Sequence, residues 1–69
     1  MKGKTHYAIY FTWYDGEEDS FIEYGAENRN MQINYLLTKE DARGMKYFHN
    51  IMYCRIYANG EYGKLIRVS

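Results

Sequence analysis

Residues 5–14 read Thr5-His6-Tyr7-Ala8-Ile9-Tyr10-Phe11-Thr12-Trp13-Tyr14. Aromatic and β-branched side chains suit a pleated, half-buried surface, so the stretch reads as a strand. Period two places Tyr7, Ile9, Phe11 and Trp13 on one face. His6, Ala8, Tyr10, Thr12 and Tyr14 fall on the other. That second face is only moderately polar, which suits a central strand or one that meets a partner.

The neighbouring segments follow from this strand. Asp15-Gly16-Glu17-Glu18-Asp19 carries four carboxylates and a glycine, too much charge for a core, and reads as a hairpin loop. Ser20–Tyr24 is the expected return strand, ended by Gly25. Residues 26–37 change period: Met31 and Tyr35, Ile33 and Leu37, and Ile33 and Leu36 are three or four apart. This predicts a helix capped by Asn28 or Asn30, with Met31, Ile33, Tyr35, Leu36 and Leu37 as its core stripe. Thr38-Lys39-Glu40-Asp41 resembles a weak capping box. It predicts a short second helical turn closed by Gly44, or one bent helix with the first.

Residues 45–57 return to strand composition, with the strand expected from about Ile51. Asn59-Gly60 tolerates the positive φ of a tight hairpin, and 61–68 supplies the returning strand. Two registers remain open. A two-residue turn pairs Cys54 with Leu65, and a three-residue turn with a bulge pairs Met52 with Ile66. A one-residue slip exchanges the faces.

The expected fold class is therefore α+β: a four-stranded antiparallel sheet made of two hairpins (ββαββ), with one helical segment on one face. Residues 1–69 form one domain, and no repeat is visible. About three turns of helix cannot cover the whole face of four strands, and a second copy of the chain is the simplest cover for the rest.

Composition narrows the function. Of 69 residues, 46% are hydrophobic, but nine are Tyr. Leu, Ile, Val and Phe make up only about 19%. A domain this small holds itself together by roughly 3–5 kcal/mol unless stapled, and a single Cys cannot form an internal disulfide. Nine basic residues balance nine acidic ones. This argues against a dedicated duplex-DNA binder, which needs basic excess, and against an acidic DNA mimic. No run reaches the roughly 20 apolar residues of a membrane span, and the N-terminus lacks a secretory signal. The lone Cys fits a reducing, cytoplasmic setting.

Three constellations could carry chemistry. Asp15, Glu17, Glu18 and Asp19 lack the spacing of a calcium loop. They read as a solvated tip or as a recognition loop for a basic partner surface. His6, His49 and Cys54 are too few and too scattered for structural zinc, and no nucleophile or nucleotide motif is present. The expectation is a non-enzyme without a cofactor. Tyr53, Arg55 and Tyr57 alternate on one strand face, with Tyr62 and Lys64 opposite Tyr57 and Arg55 in the two-residue-turn register. Aromatics interleaved with cations suit a protein hot spot or, with Arg67 helping on phosphate, base stacking. They also suit ordinary cross-strand packing.

The segments Trp13–Ile22 and Tyr53–Lys64 resemble short uncharacterised proteins of bacterial phages and conjugative elements. The resemblance implies a setting in a bacterial host, where such proteins often bind and disable a host protein, defence enzymes included. The leading expectation is a binding protein that occludes a host protein. A nucleotide or single-stranded nucleic-acid binder, and a structural homo-oligomer, are the alternatives.

Overall fold

The computed structural model describes residues 5–13, 15–39 and 48–68. Five elements follow in order: β1 (His6–Trp13), β2 (Glu18–Tyr24), α1 (Ala26–Thr38), β3 (Phe48–Ile56) and β4 (Ile66–Arg67). The strands form one antiparallel sheet in the order β2-β1-β3-β4. This is the expected α+β arrangement, with the helix packed against the sheet.

β1 lies between β2 and β3 and pairs antiparallel with both. β2 and β3 therefore run parallel, and parallel strands need a crossover longer than a tight turn. The helix is that crossover, which is why it lies across one face. Ile9 pairs with Phe21 and Tyr53, and Phe11 with Asp19 and Ile51. Cross-strand partners share a face, so Ile9, Phe11 and Ile51 meet Ile33 and Leu36 of the helix in one buried cluster. Trp13 and Tyr53 pack against its edge. Phe21 stacks on Phe11 at 5.3 Å between centroids.

The helix presents Ile33 and Leu36 to the sheet. Met31, Tyr35 and Leu37, expected in the core stripe, are 65%, 51% and 36% exposed. Arg29, four residues before Ile33 and seven before Leu36, takes the third place on the inner face. Gly25, not Asn28 or Asn30, is the N-cap, without a side-chain cap bond. Asn28 Nδ2 instead donates back to the Tyr24 carbonyl at 2.9 Å. Thr38 closes the helix rather than opening another, its Oγ1 donating to the Asn34 and Tyr35 carbonyls. Most of the second turn predicted up to Gly44 lies outside the described residues. β3 begins at Phe48, earlier than expected, so His49 is on a strand.

The two hairpin turns are built alike. In the first, Trp13 N donates to the Glu17 carbonyl at 2.6 Å and Gly16 N to the Trp13 carbonyl at 2.9 Å. In the second, Tyr57 N donates to the Glu61 carbonyl and Gly60 N to the Tyr57 carbonyl, both at 2.8 Å. Asp15 Oδ1 accepts from Glu17 N at 3.0 Å, as Asn59 Oδ1 does from Glu61 N at 3.1 Å. Both are three-residue turns whose glycine adopts positive φ, 94° at Gly16 and 87° at Gly60. Five residues thus correspond position for position: aromatic, any, Asp or Asn, Gly, Glu.

Both registers considered for the second hairpin occur, one after the other. Next to the turn, Ile56 pairs with Tyr62, and Gly63 N donates to the Arg55 carbonyl at 2.7 Å, as the three-residue turn requires. Farther on, Tyr53 pairs with Ile66 and Met52 with Arg67, a register shifted by one residue. The extra residue is absorbed between Gly63 and Ile66.

Two outcomes test this packing. Leu36→Ala should cost about 2–5 kcal/mol in urea unfolding, whereas Met31→Ala should stay within about 0.5 kcal/mol. Gly16→Ala and Gly60→Ala should each cost roughly 1–2 kcal/mol, and their effects should add because the turns lie at opposite ends of the sheet.

Candidate functional site

Alternation along β3 puts Tyr53 and Arg55 on the helix side of the sheet. The helix packs on β1 and β2 and leaves this part of the face to side chains. Arg29, on the first turn of α1, reaches over it. Its guanidinium carbon lies 4.5 Å from the centroid of Tyr7 and 4.6 Å from that of Tyr53. The two rings meet edge to face at 6.2 Å, so the cation caps a corner of two tyrosines. Such contacts contribute about 0.5–1 kcal/mol each where water has access. Arg29 Nε and Nη2 both donate to Asn30 Oδ1, at 3.0 and 2.8 Å, which fixes the plane of the guanidinium.

Arg55, paired with Tyr7 across the strands, repeats the arrangement one step on. Its guanidinium carbon is 5.1 Å from the Tyr57 centroid. Tyr57 lies against Gly63, where an added Cβ would be 3.2 Å from the Arg55 carbonyl oxygen and 3.3 Å from Tyr57 Cε2 and Oη. The result is a row of tyrosines and arginines: Tyr7, Arg29 and Tyr53, then Arg55 and Tyr57. Arg55 and Tyr57 are its exposed members.

The structure divides the residues singled out in the sequence. Tyr53, Arg55 and Tyr57 stand together. Tyr62 does not join them, because its pairing with Ile56 turns it to the opposite face. Lys64 is exposed within the slipped segment rather than opposite Arg55. Asp15, Glu17, Glu18 and Asp19 are all exposed toward the other end of β1, Asp19 two residues along from the level of Tyr53 and the turn carboxylates farther out. Glu18 pairs with Thr12, whereas Asp19 pairs with Phe11, so adjacent carboxylates serve different faces. Asp19 Oδ1 accepts from Ser20 N at 2.8 Å, and Asp15 is engaged in its turn.

The opposite face of the sheet carries no element among the described residues. His6, Tyr10, Ile22, Tyr24, Met52 and Ile56 form most of it by register. His6 and Tyr24 meet edge to face at 4.3 Å. In its middle Ala8 and Cys54 are 1% and 2% exposed. Burial pushes the Cys54 thiol above its ordinary pKa, against a lowering backbone hydrogen bond at Ala8. Burial also raises Tyr10, helped by the nearby Cys54 and Tyr62.

Sequence reading missed Tyr7 and Arg29 in the row, and Ile22, Tyr24 and Leu65 on the opposite face. Period two in 20–24 could have found Ile22 and Tyr24. Arg29 could be found only from the phase of the helix against the sheet.

Among the described residues no group of three or more His, Cys, Asp or Glu is placed to hold a metal ion. None of their helices is long and apolar enough to cross a membrane. No family model, no curated protein and no solved structure matches the chain.

Two measurements probe this geometry. Gly63→Ala should destabilise by about 1 kcal/mol or more, because the Arg55 carbonyl is backbone and cannot yield, and should change the Tyr57 ring resonances. The Cys54 thiol should react with a disulfide reagent only as fast as the chain unfolds in urea. A raised folded pKa contributes stability below the ordinary thiol value and loses it as pH climbs through the raised one. The midpoint should therefore fall at alkaline pH, and less steeply in Cys54→Ala.

Proposed function

We propose that this chain is a non-enzymatic binding protein that occludes a protein partner through Tyr53, Arg55 and Tyr57. Tyr7 and Arg29 back this row. The resemblance of its two hairpins to phage and conjugative-element proteins makes the partner a bacterial host protein, a defence enzyme being one such target.

The observation that carries this reading is the row of tyrosines already paired with guanidinium groups. Tyr and Arg lead among interface hot-spot residues, and rings held in place lose little freedom on binding. A base-stacking surface needs rings open to bases. Here Arg29 lies over Tyr7 and Tyr53, and Arg55 over Tyr57. The carboxylates of residues 15–19, at the far end, act by steering a partner with a basic patch into orientation.

The test pairs affinity capture from a bacterial lysate with titration of the captured protein in purified form. Arg55→Ala/Tyr57→Ala should weaken binding at least about thirtyfold. Asp15→Asn/Glu17→Gln should slow association in a salt-dependent way and leave dissociation nearly unchanged. A partner that binds the Arg55/Tyr57 variant as well as the wild type overturns the assignment. Salt-sensitive binding of a labelled oligothymidine by the wild type, lost in the same variant, would replace it with the nucleic-acid reading.

A further inference from the structure

The helix-free face of the sheet is apolar at its centre and charged at one end, and its rows can be written strand by strand. Nearest the acidic loop stand Glu18 and Thr12. Next come Ser20, Tyr10, Met52 and Arg67. The third row is Ile22, Ala8 and Cys54, with Leu65 beside Cys54 in the register that Tyr53 and Ile66 set. The fourth is Tyr24, His6, Ile56 and Tyr62. Ile22, Tyr24, Tyr62 and Leu65 are 47%, 53%, 60% and 49% exposed. Arg67 Nη2 donates to Asn50 Oδ1 at 2.7 Å, which draws its guanidinium toward the Glu18 end of the face.

We infer that this face is the interface of a homodimer, two copies packing sheet against sheet about a two-fold axis parallel to the strands. Such an axis keeps each row at its own level and exchanges the two edges of the sheet. The order β2-β1-β3-β4 then sets β2 of one copy over β4 of the other, and β1 over β3. Ile22 meets Leu65 of the second copy, Tyr24 meets its Tyr62, and Tyr10 meets its Met52. Glu18 meets its Arg67. Apolar groups face apolar groups along β1 and β3 in the second and third rows, Ser20 meets the stem of Arg67, and the guanidinium, drawn one row on by Asn50, meets the carboxylate of Glu18, twice over by symmetry.

The area suffices. β1, β2 and β3, with residues 62–67 beside them as the fourth ribbon, span about 19 Å by 25 Å, a flat footprint on the order of 500 Å² per copy. Two copies thus reach the roughly 1,000 Å² that a biological interface clears. Ala8 and Cys54 let the sheets approach closely at the middle. The row of Tyr53, Arg55 and Tyr57 lies on the outer face of each copy, so the dimer stands or falls independently of the partner proposed for it.

Sedimentation equilibrium from about 5 to about 500 µM decides the matter. The wild type should fit a monomer–dimer equilibrium. Ile22→Lys, at an exposed edge position, should remain folded by circular dichroism and sediment as a monomer. Glu18→Arg and Arg67→Glu should each weaken dimerisation at least about tenfold, by placing like charges opposite each other twice. An equimolar mixture of the two should recover wild-type association, because both contacts are then Arg against Glu. A wild type monomeric throughout overturns the inference. So does a dimer that survives Ile22→Lys, or a mixture that associates no better than its components.

Discussion

The structure depends on the burial of Ile9 and Phe11 in a strand paired on both sides. Among the described residues, β1 is the strand with a full-length neighbour at each edge. Its Ile9 and Phe11 are 0% and 2% exposed. Burying an aliphatic or aromatic side chain is worth about 1.5–3 kcal/mol, and the core holds few of them. Ile33, Leu36 and Ile51 complete the cluster because the crossover from β2 to β3 must pass over β1. Removing any of the five opens a cavity that no neighbouring layer can close.

Among the described residues, one short helix over four strands leaves both faces of the sheet partly uncovered, and the two regions differ chemically. On the helix side, tyrosines hold arginines in a polar row, with Glu23 paired to Tyr7 on the same face. On the other side, an apolar field lies between tyrosines at one end and a carboxylate and a guanidinium at the other. The first is the face proposed for a protein partner, and the second the face proposed for another copy of the chain. In the proposed dimer the two rows of Tyr53, Arg55 and Tyr57 would point away from each other. Such a dimer would present two copies of the proposed binding row, raising avidity for a target that is itself a repeated assembly.

The twin turns show how local chemistry can set the ends of a sheet. Asp15 and Asn59 each accept from the amide two residues on, and the following glycine takes the left-handed conformation. Both features act within five residues, so they can be read from sequence. The pair Asn59-Gly60 was legible for that reason, and so was the loop character of residues 15–17, whereas Glu18 and Asp19, expected in the loop, open β2 because they pair with Thr12 and Phe11. The three-residue form of the second turn is set by the Tyr57–Glu61 closing bond, and Asn-Gly alone is compatible with either length.

The sequence by itself determined the element order, the alternation along β1, the two hairpins and the presence of one helix, because each rests on near neighbours. It also brought Tyr53, Arg55 and Tyr57 onto one strand face, since period two is a property of the strand. Tertiary structure decided the rest. The helix turns Ile33, Leu36 and Arg29 inward and leaves Met31 and Tyr35 outside, because only contact with Ile9, Phe11 and Tyr53 selects among faces of similar apolarity. The slip between Gly63 and Ile66 sends Tyr62 to one face and keeps Ile66 opposite Tyr53, since β4 must satisfy both its turn and the register of β3. Such choices depend on residues far apart in the chain, whose relative placement exists only once the sheet is formed.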